Sequence, residues 1–295
     1  MQKYLSKSGM GAVAILINIL FFNFFLILLL YLTNSYELTL ILKVSLIVIN
    51  VYQFYYLLMY FTIFYEVTPE QITIVSLWGF KKVSIPIKSI NSYKISAEKT
   101  KGIRLSGFGG THFALGRNVV DKIGITYMYV TSSKNVVYLE TDNMNYGLSP
   151  VDIDGFMNII KANDIPMSTT YFKLGKNTPL LKDKKFAIPF VIASLTIGFI
   201  TINPIVQYLT SSIPAIMPLG FDAKFTAVKF GTGKQFAFKQ MTLGLLNMAV
   251  LFFMYYAAYF ISKYDRKSVY KYVFIPLALS MIFLFMQIRI FLTFR

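Results

Sequence analysis

The stretch FTIFYEVTPEQITIVSLWGFKKVSIPIKSINSYKIS, residues 61–96, decides how this chain is read. It opens at the end of a long apolar run and turns at once into short segments of period two. Val67, Ile72, Ile74, Val83, Ile85 and Ile87 recur between polar residues, with turns at Thr68-Pro69-Glu70 and Trp78-Gly79-Phe80-Lys81. That pattern predicts three successive strands with one face in a core. A polar, β-forming island thus begins here and extends over residues 66–183, between two largely apolar blocks.

The flanking blocks read as membrane spans. The chain is 56% hydrophobic and 14% charged, against about 45–50% and 25% for soluble proteins, and its mean hydropathy is +0.57. A crossing helix needs about 20 apolar residues, and five segments supply them, residues 10–32, 38–60, 186–209, 241–262 and 272–294. The first follows Lys3 and Lys7 like a secretory signal, but its apolar core is too long and no small-residue cleavage site follows, so it reads as a retained anchor.

The link at residues 33–37 has no Lys or Arg, whereas the link after the fourth span holds Lys263, Arg266, Lys267 and Lys271. The positive-inside rule then places the amino terminus and the island in the cytoplasm. It leaves residues 210–240 outside, where Lys224, Lys229, Lys234 and Lys239 argue against the assignment. Within that loop AKFTAVKF and QFAFKQ flank Gly231-Thr232-Gly233-Lys234, which suits a small hairpin or an interfacial segment. The GTGK string is no phosphate loop, because Val228 stands where Gly is required and Gln235 where Ser or Thr is required.

Several chemistries are excluded by composition. There is no cysteine and only one histidine, His112, so thiolate sites, cysteine nucleophiles and histidine-pair zinc sites cannot be built. No metal, cofactor or catalytic residue is expected, and the chain reads as a non-enzyme. No Asp or Glu lies inside a proposed span, which weakens a proton relay or carboxylate-lined path. The embedded amides, Asn23, Asn50 and Gln287 among them, suit interhelical hydrogen bonds. Lys+Arg number 29 against 13 Asp+Glu. Scattered through the island and links, this excess points to anionic lipid headgroups rather than nucleic acid.

Beyond residue 96 come a glycine-rich connection and three further strands, GITYMYVTS, NVVYLETD and NYGLS, for about six or seven in all. A helix ends the island, with Ser149 as N-cap, Pro150 at the first helical position, Asp152 and Asp154 complementing the dipole, and Ile153, Phe156, Met157 and Ile160 as its apolar stripe. This order, carried by YEVTPEQITI, IPIKSINSYKI, RLSGFGGTHFALGR and the close YVTSSKNVVYLETDNMNYGLSPVDIDGFMNII, resembles the bacterial pleckstrin-homology-like (PH-like) family. The resemblance covers residues 65–161. It implies a small curled sheet or barrel with a terminal helix, in a bacterial inner-membrane protein, and carries over no catalytic residue. The expected fold is membrane α-helical with an inserted mainly-β PH-like domain. Residues 1–65 hold two transmembrane helices, 66–180 the cytoplasmic domain, and 181–295 three more helices with an external loop at about 210–240.

Two basic clusters are candidate binding sites. Lys94, Lys99, Lys101, Arg104 and Arg117 surround the loop of Gly107, Gly109 and Gly110, whose backbone N–H groups suit a phosphate, a lipid headgroup or a protein partner. Lys173, Lys176, Lys182, Lys184 and Lys185 lie beside the third span and suit contact with the bilayer surface. His112 adjoins the glycine loop, and Trp78 suits either the membrane interface or the cap of the sheet. The leading expectation is a scaffold or regulator that binds a protein or the membrane surface; the rival is a transporter or channel subunit regulated by the domain.

Overall fold

The structure, a computed structural model, describes residues 2–96, 102–142, 144–168 and 179–294. It divides into two units, Met1–Phe24 with Val48–Gly175 and Phe25–Ile47 with Lys176–Arg295, each considered by itself. Among the described residues five helices are long and apolar enough to cross a membrane: Gly11–Leu32 (α1), Tyr36–Thr62 (α2), Lys184–Leu209 (α4), Gly233–Ser262 (α5) and Lys267–Phe294, of which Tyr270–Phe294 is α6.

In the first unit, strand β1 (Gln2–Leu5) precedes α1. After α2 the chain passes directly into β2 (Phe64–Val67), β3 (Gln71–Ser76) and β4 (Lys81–Pro86). These four form an antiparallel sheet in the order β1-β2-β3-β4. A second sheet holds β5 (Ile90–Ser96), β6 (Gly102–Gly109), β7 (Ala114–Val120), β8 (Gly124–Val130), β9 (Val136–Thr141) and β10 (Asn145–Leu148), in the order β5-β9-β10-β8-β7-β6. The strand number therefore exceeds the expected six or seven, because the glycine-rich connection is itself the hairpin β6–β7 and because β1 joins from before the first helix.

Tyr65, Ile72, Ile74 and Ile85 of one sheet meet Leu115, Tyr129, Val137 and Leu139 of the other in a common core, closed by Phe156, Met157 and Ile160 of α3 (Ile153–Ala162). The N-cap of α3 is Asp152, whose carboxylate accepts the Gly155 N–H at 2.9 Å. Ser149, expected in that role, is wholly buried and its hydroxyl accepts the Thr131 N–H at 3.0 Å instead. Asn23 and Asn50 exchange amide hydrogen bonds of 2.9 and 2.8 Å between α1 and α2.

In the second unit α4, α5 and α6 pack together, and Gln287 donates to the Ile200 carbonyl at 2.9 Å. The expected hairpin lies earlier than its glycines suggest: β11 (Ile216–Phe221) pairs with β12 (Ala227–Thr232), and the turn is held by Asp222, which accepts the Lys224 and Thr226 N–H groups. QFAFKQ is instead the start of α5, since Thr232 and Gln235 form a capping box there; the fourth helix accordingly begins at Gly233 and not near residue 241.

Beside this hairpin Lys239, one of the four lysines that opposed an outside loop, pairs with Glu37 at 3.2 Å and donates to the Leu219 carbonyl. The Arg289 guanidinium lies 3.9 Å from the centre of the Phe225 ring and donates to the Tyr36 hydroxyl. At the start of α4, Asp183 accepts the Lys185 N–H and receives Tyr270 at 2.7 Å and Arg266 at 2.9 Å. The Tyr270 hydroxyl, aided by these other donors, holds the Asp183 carboxyl below the usual carboxylate range.

Candidate functional site

The last turns of α2 carry Tyr52, Tyr56 and Tyr60 at intervals of four, which places them on one helix face. The β6–β7 hairpin lies along that face. Phe113 meets the Tyr60 ring edge-on at 6.0 Å, Phe108 lies 6.2 Å from Tyr56, and the Tyr52 hydroxyl donates to the Gly107 carbonyl at 2.9 Å. The glycines make this hairpin possible. Gly107 and Gly116 are register partners with φ of 101° and 121°, and a Cβ on Gly107 would overlap the Leu115 carbonyl and the Gly116 Cα. The Gly110 N–H, expected to hold an anion, donates to the Phe113 carbonyl at 2.8 Å, so it closes the turn instead.

Between this hairpin and the first half of α1 lies a cleft of about 670 Å³. Val13, Ile17 and Phe22 of α1 form an apolar wall, Tyr52 and Phe108 continue it, and Arg104 is the sole Lys or Arg among the described lining residues. The Arg104 side chain is exposed and donates one hydrogen bond, at 2.9 Å, to the Gly109 carbonyl. A guanidinium has five donors in a planar fork, so most of its capacity faces the cleft and solvent. His112 also lines the cleft, while its backbone carbonyl accepts the Ser133 N–H. Wall and cation together suit a molecule with an apolar body and an anionic end.

Among the described residues, Lys94 and Arg117 do not join Arg104. Lys94 is on β5, at the opposite edge of the six-stranded sheet. Arg117 is 7% exposed, with its guanidinium 5.8 Å from the Tyr127 ring centre, so it is not a surface contact. Lys99 and Lys101 lie outside the described residues, as do Lys173 and Lys176. Lys182, Lys184 and Lys185 are exposed around Asp183, and the Asp183–Arg266 pair brings the basic link after α5 to the same place.

The α1 wall and Tyr52 went unrecognised from sequence; the four-residue tyrosine spacing was their one signal. On the inner side of β8, Lys81 Nζ donates to the Tyr55 hydroxyl at 2.9 Å and lies 5.8 and 5.6 Å from the Tyr127 and Tyr129 ring centres. Burial, reinforced by neighbouring phenols, pushes the Tyr129 hydroxyl far above its ordinary value, so this cluster keeps a neutral phenol around a lysine. Among the described residues no three His, Asp or Glu side chains converge as a metal site.

Comparison with known proteins agrees with the architecture. Residues 63–163 match the bacterial PH domain family. An uncharacterised protein of Clostridium acetobutylicum is 35% identical over 254 residues, which cover 86% of each chain. No solved structure matches. The family match over the island, in a chain that folds there as a β domain closed by one helix, makes the chain a member of the bacterial PH-domain family.

Proposed function

We propose that the chain is a multi-pass protein of the bacterial inner membrane, with its amino terminus and PH-like domain in the cytoplasm, and that the domain is a non-enzymatic scaffold or regulator bound to the membrane surface. The cleft carries this reading. Its apolar wall belongs to a helix long enough to span a bilayer, and the one Lys or Arg among its described lining residues, Arg104, lies on the domain. A lipid of the inner leaflet fits both, with its chain along Val13, Ile17 and Phe22 and its phosphate at Arg104. Of the two partner classes considered, protein and membrane surface, this arrangement favours the membrane. The lysines of the link after α5 and of residues 182–185 favour the same side by attraction to anionic lipid.

Retention of lipid by the full chain tests the reading. After exchange from phosphatidylglycerol-containing vesicles into mild detergent, native mass spectrometry should find phosphatidylglycerol bound. A charge-assisted contact contributes about 1.5–3 kcal/mol, so Arg104→Gln should weaken retention about ten- to hundredfold. Equal retention by a folded Arg104→Gln variant removes the cleft as a lipid site.

A further inference from the structure

We infer that the turn between β3 and β4 is a membrane-seated wedge: the Trp78 and Phe80 rings enter the interfacial layer of the bilayer that α1 and α2 cross, and Lys82 faces its anionic headgroups. This rests on the reading of α1 and α2 as spans, and concerns a different surface from the cleft.

Direction comes first. Strand β2 leaves the end of α2, and β3 pairs with it antiparallel, Phe64 opposite Val75, so β3 runs back towards the helix. The turn overshoots the start of β2. Leu77 donates its N–H to Thr62 Oγ1 at 2.7 Å, and just past the turn Lys81 Nζ reaches the Tyr55 hydroxyl at 2.9 Å and Met59 Sδ at 3.9 Å. Tyr55 is about two turns, or ~10 Å, back along α2 from Thr62. The β3–β4 turn therefore lies beside the shaft of the helix.

Depth follows from helix length. α2 has 27 residues, whereas about 20 cross the hydrocarbon core. Counted from Tyr36, that requirement is met at about Tyr55, and the rest projects into the headgroup layer and beyond. Tyr52, 44% exposed, and the half-buried Tyr55 lie at that boundary, where aromatic residues are enriched, whereas Tyr60 is already inside the domain core. The Leu77–Thr62 and Lys81–Tyr55 contacts bring the turn to within one lysine side chain of that boundary.

Chemistry completes the argument. Trp78 is 71% and Phe80 92% exposed, while Ile72, Ile74 and Ile85 on the adjoining strands are buried. Trp78 thus does not cap the sheet. A single exposed apolar residue needs no explanation, but these are two large rings at one tip. The backbone there is left-handed at Leu77, Trp78 and Gly79, with φ of 54°, 54° and 95°, a cost borne at two non-glycine residues. Lys82, exposed beside Gly79, supplies the cation that an anionic interface favours.

Trp78 is the chain's one tryptophan, so its fluorescence is an unmixed reporter. The full chain is reconstituted in phosphatidylcholine–phosphatidylglycerol vesicles, and flotation with resistance to carbonate extraction establishes insertion. Lipids brominated near the top of the acyl chain should then remove most of the emission, and aqueous acrylamide should quench weakly. A chain carrying Trp78→Phe and Phe80→Trp should behave likewise. Emission that acrylamide quenches freely and brominated lipid leaves unchanged, in protein that floats and resists extraction, overturns the wedge alone. Protein that is extracted by carbonate overturns the spans and the wedge together.

Discussion

Tyr65 shows how much of the domain hangs on one hydroxyl. Its ring is fully buried; the hydroxyl donates to the Tyr129 carbonyl at 2.7 Å and accepts the Ser149 N–H at 3.0 Å, tying β2 to β8 and to the approach to α3. Tyr65→Phe keeps the packing and strands both backbone groups, which should cost about 1–3 kcal/mol of stability, read as a lower thermal transition of the purified chain. Burial raises the Tyr65 hydroxyl from 10.0 to about 12. Its contribution is complete below pH 10.0 and is lost as pH rises through about 12, so the gap between wild type and Tyr65→Phe should narrow over that window. A gap that is constant with pH would remove the hydroxyl as its cause.

Strand β1 is the least legible element of the fold and one of the most consequential. Its pairing with β2 is extended by bonds from Lys7 N–H to the Ser149 carbonyl and from Val151 N–H to the Leu5 carbonyl, and the Tyr4 ring meets Phe156 edge-on at 5.5 Å. Deleting residues 2–6 removes several backbone bonds of about 0.5–1.5 kcal/mol each. It should make the domain far more sensitive to limited proteolysis, while Lys3→Ala should not. QKYL is too short for a periodic pattern, and its partners lie beyond two helices, so nothing local announces a strand. The long helices and β8, β9 and β10 were legible because hydrophobic length and period two are local signals. The hairpin at residues 216–232 was misplaced because glycine marked a helix cap rather than the turn. Of the candidate basic loop, Lys94 and Arg104 are near in sequence but on opposite edges of a sheet, and Arg117 is buried, which no local pattern announces.

At the scale of the molecule, the pairing of β1 with β2 requires both outer ends of the α1–α2 pair to share one side of any bilayer they cross. Lysine counting reaches the same result independently. The absence of native cysteine makes this directly testable, since single cysteines can be introduced without background. In intact cells, Lys229→Cys on β12 should react with an impermeant maleimide, whereas Asp121→Cys in the domain and Lys267→Cys after α5 should react only after lysis. Labelling of Asp121→Cys in intact cells would reverse the orientation.

The same strand pair sets an order of events during synthesis. β1 leaves the ribosome before α1, yet its partner is made only after α2 is complete. The domain's first sheet cannot close until both helices have been made, so if α1 and α2 cross the bilayer as proposed, β1 acts as a latch on the insertion of the helical hairpin. A chain whose first two helices enter wrongly leaves β2 with an open edge, a surface on which misassembled copies can associate or proteases can act.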